Sequence, residues 1–360
     1  MNTLKVTFYS IVPSPYQRDL FYALSQIPGI NITVYYLEAA YNIYPWPKKP
    51  LNSYEKVLPG FVLSWGGSRF HVNWHLPNIN QSDVIVINGY MNTTAQLLLR
   101  LYGRQIPCVF WGEKIVGSTG GLKSKLQQLF AEGLTQSSAI AAIGSLAEAD
   151  YSRRYPGKLI FNIPYYCDLT DFNQNLPQRP RTPIKILFCG QMIARKGVDI
   201  LLQAFHRLIE YGLQVKLLLV GQEAELPQML ELLPEQTQQN IEYAGFQAPE
   251  NLPKFFSQAD LFVLPSRYDG WGVVVNQAVG AGLPIVCSDA VGAAHDLIKP
   301  GENGYLFPSE NIDALVEILK NYIQHPDKIQ IASAASLQIS ELISPHLGAQ
   351  RWCDLLKKLI

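Results

Sequence analysis

Leu264-Pro265-Ser266-Arg267-Tyr268-Asp269-Gly270-Trp271-Gly272-Val273-Val274-Val275-Asn276-Gln277-Ala278-Val279-Gly280-Ala281-Gly282-Leu283-Pro284 reads as the end of a buried strand, a glycine-bearing loop and a helix opening near Gly272. Gly270 and Gly272 let a ligand approach the backbone closely, and a helix N-terminus offers unpaired amides. Asp269 lies in the loop and Gln277 eight residues on, in the helix. Two readings fit this spacing. Both side chains serve one cleft, or the acid caps the helix and the glutamine sits on its polar face.

A second strand–loop–helix passage lies upstream, Cys189-Gly190-Gln191-Met192-Ile193-Ala194-Arg195-Lys196-Gly197-Val198-Asp199. The helix it opens carries Ile200, Leu201, Ala204, Phe205, Leu208 and Ile209 on one face. Arg195 and Lys196 then stand beside a helix N-terminus, where the macrodipole already favours an anion. At the carboxyl end of a parallel strand this is a phosphate site. A solvated Arg-Lys pair in an ordinary βα loop is the alternative.

Outward from these passages, short apolar runs alternate with helical periods, the signature of stacked βα units and a parallel sheet. The pattern predicts strands over 5–10, 31–37, 83–88, 107–111 and 139–143, then 185–189, 215–220, 260–265 and 284–288. Helices are expected from Tyr16 and over 93–102 and 198–210. Residues 173–183 hold three prolines and almost no apolar side chains, so they cannot join a sheet interior and mark a boundary. The expected division is 1–177, 184–345 and a terminal amphipathic helix, 346–360, packed on the body.

The 360 residues suit two domains, and 48% hydrophobic residues supply two cores. Lys plus Arg and Asp plus Glu each number 29, so no overall positive field favours nucleic acid. The five cysteines are scattered without zinc or redox spacing and read as reduced, mostly buried thiols. The first apolar run, Val6 to Tyr9, is too short for a signal sequence, and no stretch approaches the ~18 apolar residues of a membrane span. A cytoplasmic protein is expected, with peripheral association at the inner face of the membrane left open.

In the first half, Pro13-Ser14-Pro15-Tyr16-Gln17-Arg18, Asn88-Gly89-Tyr90 and Trp111-Gly112-Glu113-Lys114 each follow a strand, at the sheet edge that binds ligands in such folds. Glu113 is the acid here best suited to orient an acceptor hydroxyl; a solvated loop carboxylate is the alternative. Gly117 to Gly121 reads as a mobile loop or a plain surface turn. His71 and His75 lack an intervening glutamate base and read as structural or surface groups. His295 either touches substrate or makes a local hydrogen bond. Asp-x-Asp, Walker A, Gly-x-Gly-x-x-Gly and Gly-x-Ser-x-Gly are all missing from the sequence.

Taken together, residues 260–307, with Ser288-Asp289-Ala290-Val291-Gly292-Ala293-Ala294-His295-Asp296 and Gly301-Glu302-Asn303-Gly304, and the 190–199 loop resemble the retaining GT-B glycosyltransferases of family GT4, the group 1 glycosyl transferases. The resemblance covers about 184–340 well. It implies an α/β fold of two Rossmann-like parallel-sheet domains facing across a cleft, the acceptor against the first and a nucleotide-sugar donor against the second. Carried over, Lys196 and Arg195 hold the diphosphate beside Gly190 and Gln191, Asp269 holds the sugar hydroxyls and Gln277 the ribose. Gly270, Trp271, Gly272 and Gly292 line the donor. Asp269, Lys196 and Glu113 are the catalytic candidates, and no metal or other cofactor is expected.

Three departures from the family pattern matter. Gln191 stands where many members have arginine, and Asp269 and Gln277 replace the two glutamates of Glu-x7-Glu. An amide accepts a ribose hydroxyl without charge assistance. The implied function is retaining transfer of a hexose-like sugar onto a saccharide or lipid-linked saccharide, in cell-surface polysaccharide assembly. A catalytically silent nucleotide-sugar-binding subunit and a sugar epimerase with the same donor pocket are the alternatives.

Overall fold

The computed structural model describes residues 3–40, 49–65, 68–74, 76–77, 81–115, 121–174 and 180–360. The chain forms two compact units, Met1–Cys167 with Pro345–Ile360, and Asp168–Ser344.

The first unit is built on β1 (Leu4–Ser10), β2 (Ile30–Tyr36), β3 (Glu55–Val57), β6 (Val84–Asn88), β7 (Cys108–Gly112), β8 (Ala139–Ala142) and β9 (Leu159–Asn162). They make one seven-stranded sheet in the order β3-β2-β1-β6-β7-β8-β9, and every pairing is parallel. The central strands β6, β7 and β8 are buried along their whole length, as a sheet covered on both faces requires. Helices α1 (Pro15–Ser25), α2 (Thr93–Tyr102), α3 (Gly121–Gly133) and α4 (Ser145–Arg154) connect the strands. α2 begins where its sequence dictates, because the Asn92 side chain accepts from the Ala95 N–H at 2.6 Å. An antiparallel hairpin, β4 (Gly60–Trp65) and β5 (Ser68–Asn73), departs from the βα alternation, and the apolar pattern does not announce it.

The second unit carries β10 (Ile184–Cys189), β11 (Val215–Val220), β12 (Ile241–Tyr243), β13 (Leu261–Leu264), β14 (Ile285–Ser288) and β15 (Gly304–Phe307). Its six-stranded sheet, again all parallel, runs β12-β11-β10-β13-β14-β15. Helices α5 (Thr170–Asn173), α6 (Val198–Glu210), α7 (Leu226–Leu230), α8 (Glu235–Gln238), α9 (Leu252–Phe256), α10 (Val273–Gly280), α11 (Ala294–Leu297), α12 (Ile312–Gln324) and α13 (Asp327–Ser340) surround it. The expected face of α6 is the buried one, with Ile200, Leu201, Ala204, Phe205 and Leu208 inside.

The boundary falls earlier than the proline-rich stretch suggests, since the second unit starts at Asp168. The reason is packing. Leu169 lies against α10, where a Cβ on Gly280 would meet Leu169 Cβ at 3.0 Å, and Phe172 meets Phe256 edge-on at 5.3 Å. Residues 175–179 lie outside the described residues. The terminal helix, α14 (Pro345–Lys357), belongs to the first unit. Trp352 is fully buried there, edge-on to Phe8 at 5.4 Å and Trp111 at 5.5 Å, while Gly348 lets the helix approach Tyr166.

Four of the cysteines are buried and all five are free. Burial pushes the Cys108 and Cys189 thiols up to about 12. Among the described residues no helix is long and apolar enough to cross a membrane.

Candidate active site

In the second unit β10 has β11 on one side and β13 on the other. The strand order therefore reverses at the β10/β13 junction, and the loops leaving those two strands border the crevice where open α/β sheets bind ligands. These are the two loops that the sequence picks out.

The β10 loop turns through Gly190 and a short 3₁₀ turn, Ala194–Lys196, and enters α6 at Gly197. Gly197 has φ +71, and a Cβ there would meet the Pro265 carbonyl oxygen at 1.9 Å. Only glycine permits both the left-handed backbone and this contact with the β13 loop. The β13 loop extends the sheet beyond its strands. Asp269 bridges in parallel to Val291, the Gly292 N–H donates to the Asp269 carbonyl at 3.0 Å and the Ala293 N–H to the Trp271 carbonyl at 2.8 Å. A Cβ on Gly292 would meet the Gly270 carbonyl oxygen at 2.2 Å, so the 290–293 segment lies directly on the loop.

This scaffold brings Lys196 and Asp269 together as an ion pair, their side chains 16% and 13% exposed. Asp269 is thus not a helix cap; the N-cap of α10 is Gly272, φ +89, and no side chain caps the helix. The Arg195 guanidinium is exposed and donates to the Tyr268 carbonyl at 2.9 Å, spanning the two loops. Gln191 donates to the Gln222 side chain at 2.6 Å. Gln277 is half-buried on α10, and a Cβ on Gly190 would meet the Phe188 ring at 3.3 Å.

Other expectations land differently. The Trp271 ring is 1% exposed and its indole N–H donates to Asn276 Oδ1 at 2.8 Å, so the ring belongs to the core and only its backbone borders the loop. The anion at the α6 N-terminus is the protein's own Asp199. Burial pushes its carboxyl up, but the Arg267 hydrogen bonds and charge, with the Asp199 and Ile200 amides, outweigh this and hold it below the ordinary range. His295 makes the local bond, to the Asp289 carbonyl at 2.8 Å. Glu113 lies in the first unit just after β7, half-buried, with its carbonyl accepting from the Tyr151 hydroxyl. His71 is buried against Glu38 at 3.1 Å, whereas His75 and residues 117–120 lie outside the described residues.

Arg267 is the residue that the sequence reading passed over. Its only signal is an arginine two residues before the loop acid, and nothing in that spacing states its partners. Nη1 and Nη2 donate to the two Asp199 carboxylate oxygens at 2.8 and 2.7 Å, Nε donates to Glu310 at 2.7 Å, and Nη1 also reaches the Ala194 carbonyl. Among the described residues no group of three or more His, Cys, Asp or Glu side chains is placed to hold a metal ion.

The family model described as Glycosyl transferases group 1 matches residues 170–336, the segment that carries both loops and residues 290–293. Residues 170–336 are thus similar to a group 1 glycosyl transferase domain. Amylovoran biosynthesis glycosyltransferase AmsK of Erwinia amylovora is 24% identical over 196 residues, 52% of this chain and 48% of AmsK. The chain spans about half or less of the length of the first curated relatives it matches. Among solved structures, sucrose-phosphate synthase from Thermosynechococcus elongatus superposes with a TM-score of 0.75 at 17% identity, covering 99% of both chains. HepE of Anabaena, solved with UDP and glucose, gives 0.70 at 17% identity over 99% of this chain and 100% of its own. Likeness at this identity establishes the fold, which is GT-B: the group 1 domain is one of two Rossmann-like parallel-sheet domains.

Proposed function

We propose that the protein is a retaining, GT4-like glycosyltransferase that moves a hexose-like sugar from a nucleotide-sugar donor to a saccharide or lipid-linked saccharide in cell-surface polysaccharide assembly. The observation that carries this reading is the Lys196–Asp269 ion pair at the strand-order reversal of the group 1 domain. It sets one ammonium and one carboxylate side by side, the two groups that a sugar diphosphate needs. Lys196, aided by Arg195, takes the diphosphate charge that grows as the sugar–oxygen bond breaks. Asp269 accepts from the sugar hydroxyls, Gln277 from the ribose, and Glu113 orients the acceptor hydroxyl. The leaving phosphate takes the acceptor proton on the face it departs from, so no pair of carboxylates is required for retention.

Similar proteins support the setting: AmsK acts in amylovoran biosynthesis and HepE was crystallised with UDP and glucose. The test is a thermal-shift screen against UDP, GDP, ADP and their sugars, because a ligand of the folded state alone stabilises it by mass action. Donor hydrolysis and transfer follow for each hit, with and without EDTA. One nucleotide and its sugar should raise Tm, and turnover should survive EDTA. Binding without hydrolysis or transfer would support a silent nucleotide-sugar-binding subunit, and no binding at all would remove the reading.

A further inference from the structure

Lys196 and Asp269 come from two different loops, so their register depends on what joins those loops. Lys196 sits in a single 3₁₀ turn, and Asp269 in a loop whose other side is occupied by residues 290–293. Beside the Arg195 bond to the Tyr268 carbonyl, Arg267 fastens the first loop to the second. Its backbone N–H donates to the Arg195 carbonyl at 2.9 Å and its guanidinium to the Ala194 carbonyl, so the turn that carries Lys196 is gripped at two successive carbonyls. The bidentate bond to Asp199 ties the same guanidinium to the first turn of α6. A planar fork can do this; a lysine ammonium cannot.

Glu310 completes the arrangement and shows that it is built. Its φ is +68, a left-handed backbone conformation that residues with a Cβ rarely adopt, and its carboxylate accepts from Arg267 Nε. Glycine would suit that turn better. A glutamate there trades backbone ease for a second carboxylate on Arg267. Both carboxylates bind the one guanidinium, so its charge is already compensated by the protein's own acids.

We infer that Arg267, fixed by Asp199 and Glu310, is a positioning residue that sets Lys196 against Asp269 for the donor. It touches no substrate and acts through the Ala194–Lys196 turn. The inference rests on the donor site proposed above, so its test includes a readout independent of that site.

The experiment compares wild type, Arg267→Ala, Arg267→Lys and Glu310→Gly in three measurements. These are acylation of Lys196 by an amine-reactive ester followed by mass spectrometry, nucleoside diphosphate affinity by calorimetry, and donor turnover. Arg267→Ala should speed Lys196 labelling by about three- to five-fold, the range that loss of a partly exposed ion pair allows. It should lower donor kcat/KM by about ten- to a hundred-fold, the scale of a displaced reacting group. Arg267→Lys should fail to restore either. Glu310→Gly, which keeps the backbone turn, guards against a variant that does not fold. Its Tm should stay level or rise while kcat/KM falls by about three-fold or more. Unchanged labelling in Arg267→Ala, full rescue by lysine, or faster labelling with unchanged affinity and turnover would each overturn the inference. If wild type binds no nucleotide, the donor-site reading fails, and the labelling ratio still decides whether Arg267 holds Lys196.

Discussion

The Lys196 ammonium and the Asp269 carboxylate, 73 residues apart in sequence, neutralise each other at the mouths of two neighbouring parallel strands. Each charge is mostly withdrawn from water, so each depends on the other when no ligand is present. In the proposed donor site a diphosphate would share the ammonium with Asp269, and sugar hydroxyls would share the carboxylate with Lys196.

Removing either partner therefore has two effects. Lys196→Ala should lower kcat/KM by roughly one to two decades, from ~1.5–3 kcal/mol for a charged hydrogen bond to diphosphate. Asp269→Asn should harm turnover more than nucleotide affinity, because it releases Lys196 to the phosphates while weakening the hold on the sugar. A double-mutant cycle on turnover should give a coupling above ~0.5 kcal/mol. Additive losses would mean that the two side chains do not act as a unit.

Gln277→Glu should change donor Kd by no more than about 1.4 kcal/mol, a factor of ten. A carboxylate accepts ribose hydroxyls with charge assistance, but it must be desolvated near the donor's own phosphates. Calorimetry on wild type, Gln277→Glu and Gln277→Ala in one buffer makes the comparison. Equal affinities in all three would place the ribose elsewhere.

Gly197 and Gly212 separate backbone conformation from crowding. Their φ values are +71 and +72, yet a Cβ on Gly212 meets nothing within 4 Å while one on Gly197 would strike the Pro265 carbonyl oxygen. Gly212→Ala should cost only the left-handed penalty, about 1–2 kcal/mol. Gly197→Ala should cost more and also weaken nucleotide binding, since the two loops must part. Urea midpoints and nucleotide titrations on the two variants measure this. Equal costs would mean that the loops yield freely.

In the first unit Glu55 binds the Arg18 guanidinium, the Tyr36 hydroxyl and the Asn52 amide, with its side chain fully buried. Burial pushes its carboxyl up, but these hydrogen bonds outweigh burial and hold it below its ordinary value of 4.5. A depressed carboxyl stabilises the folded state above the unfolded pKa and loses that contribution as pH falls through the folded one. Glu55→Gln should therefore be less stable than wild type by about 3 kcal/mol near neutrality. The gap should narrow once the pH drops below the range in which carboxylates ionise. Urea midpoints at about pH 7 and about pH 3 test the sign; a gap that is constant or grows in acid would contradict it.

Much of this architecture is legible along the chain. Burial of both sheet faces writes continuous apolar runs, so β10, β11 and β13 show in the composition of a few residues, and α6 and α2 lie at 198–210 and 93–102 as their periodicity indicates. β12 and β15 are only partly buried, and the β4–β5 hairpin exposes Phe61, Leu63 and Val72, so none of them is a strand covered on both faces. The glycines at 197 and 272 mark the loops because a left-handed entry to a helix tolerates little else. Pairing across the loops is another matter. That Asp269 meets Lys196 and not the helix amides, that Asp199 takes the α6 N-terminus, and that Arg267 joins Asp199 to Glu310 all follow from β13 lying beside β10. Strand order is a long-range choice, set by how whole βα units cover one another, and local spacing carries no record of it. The same holds for α14: its apolar stripe says that it packs, and only the aromatic pocket of Phe8 and Trp111 says on which unit.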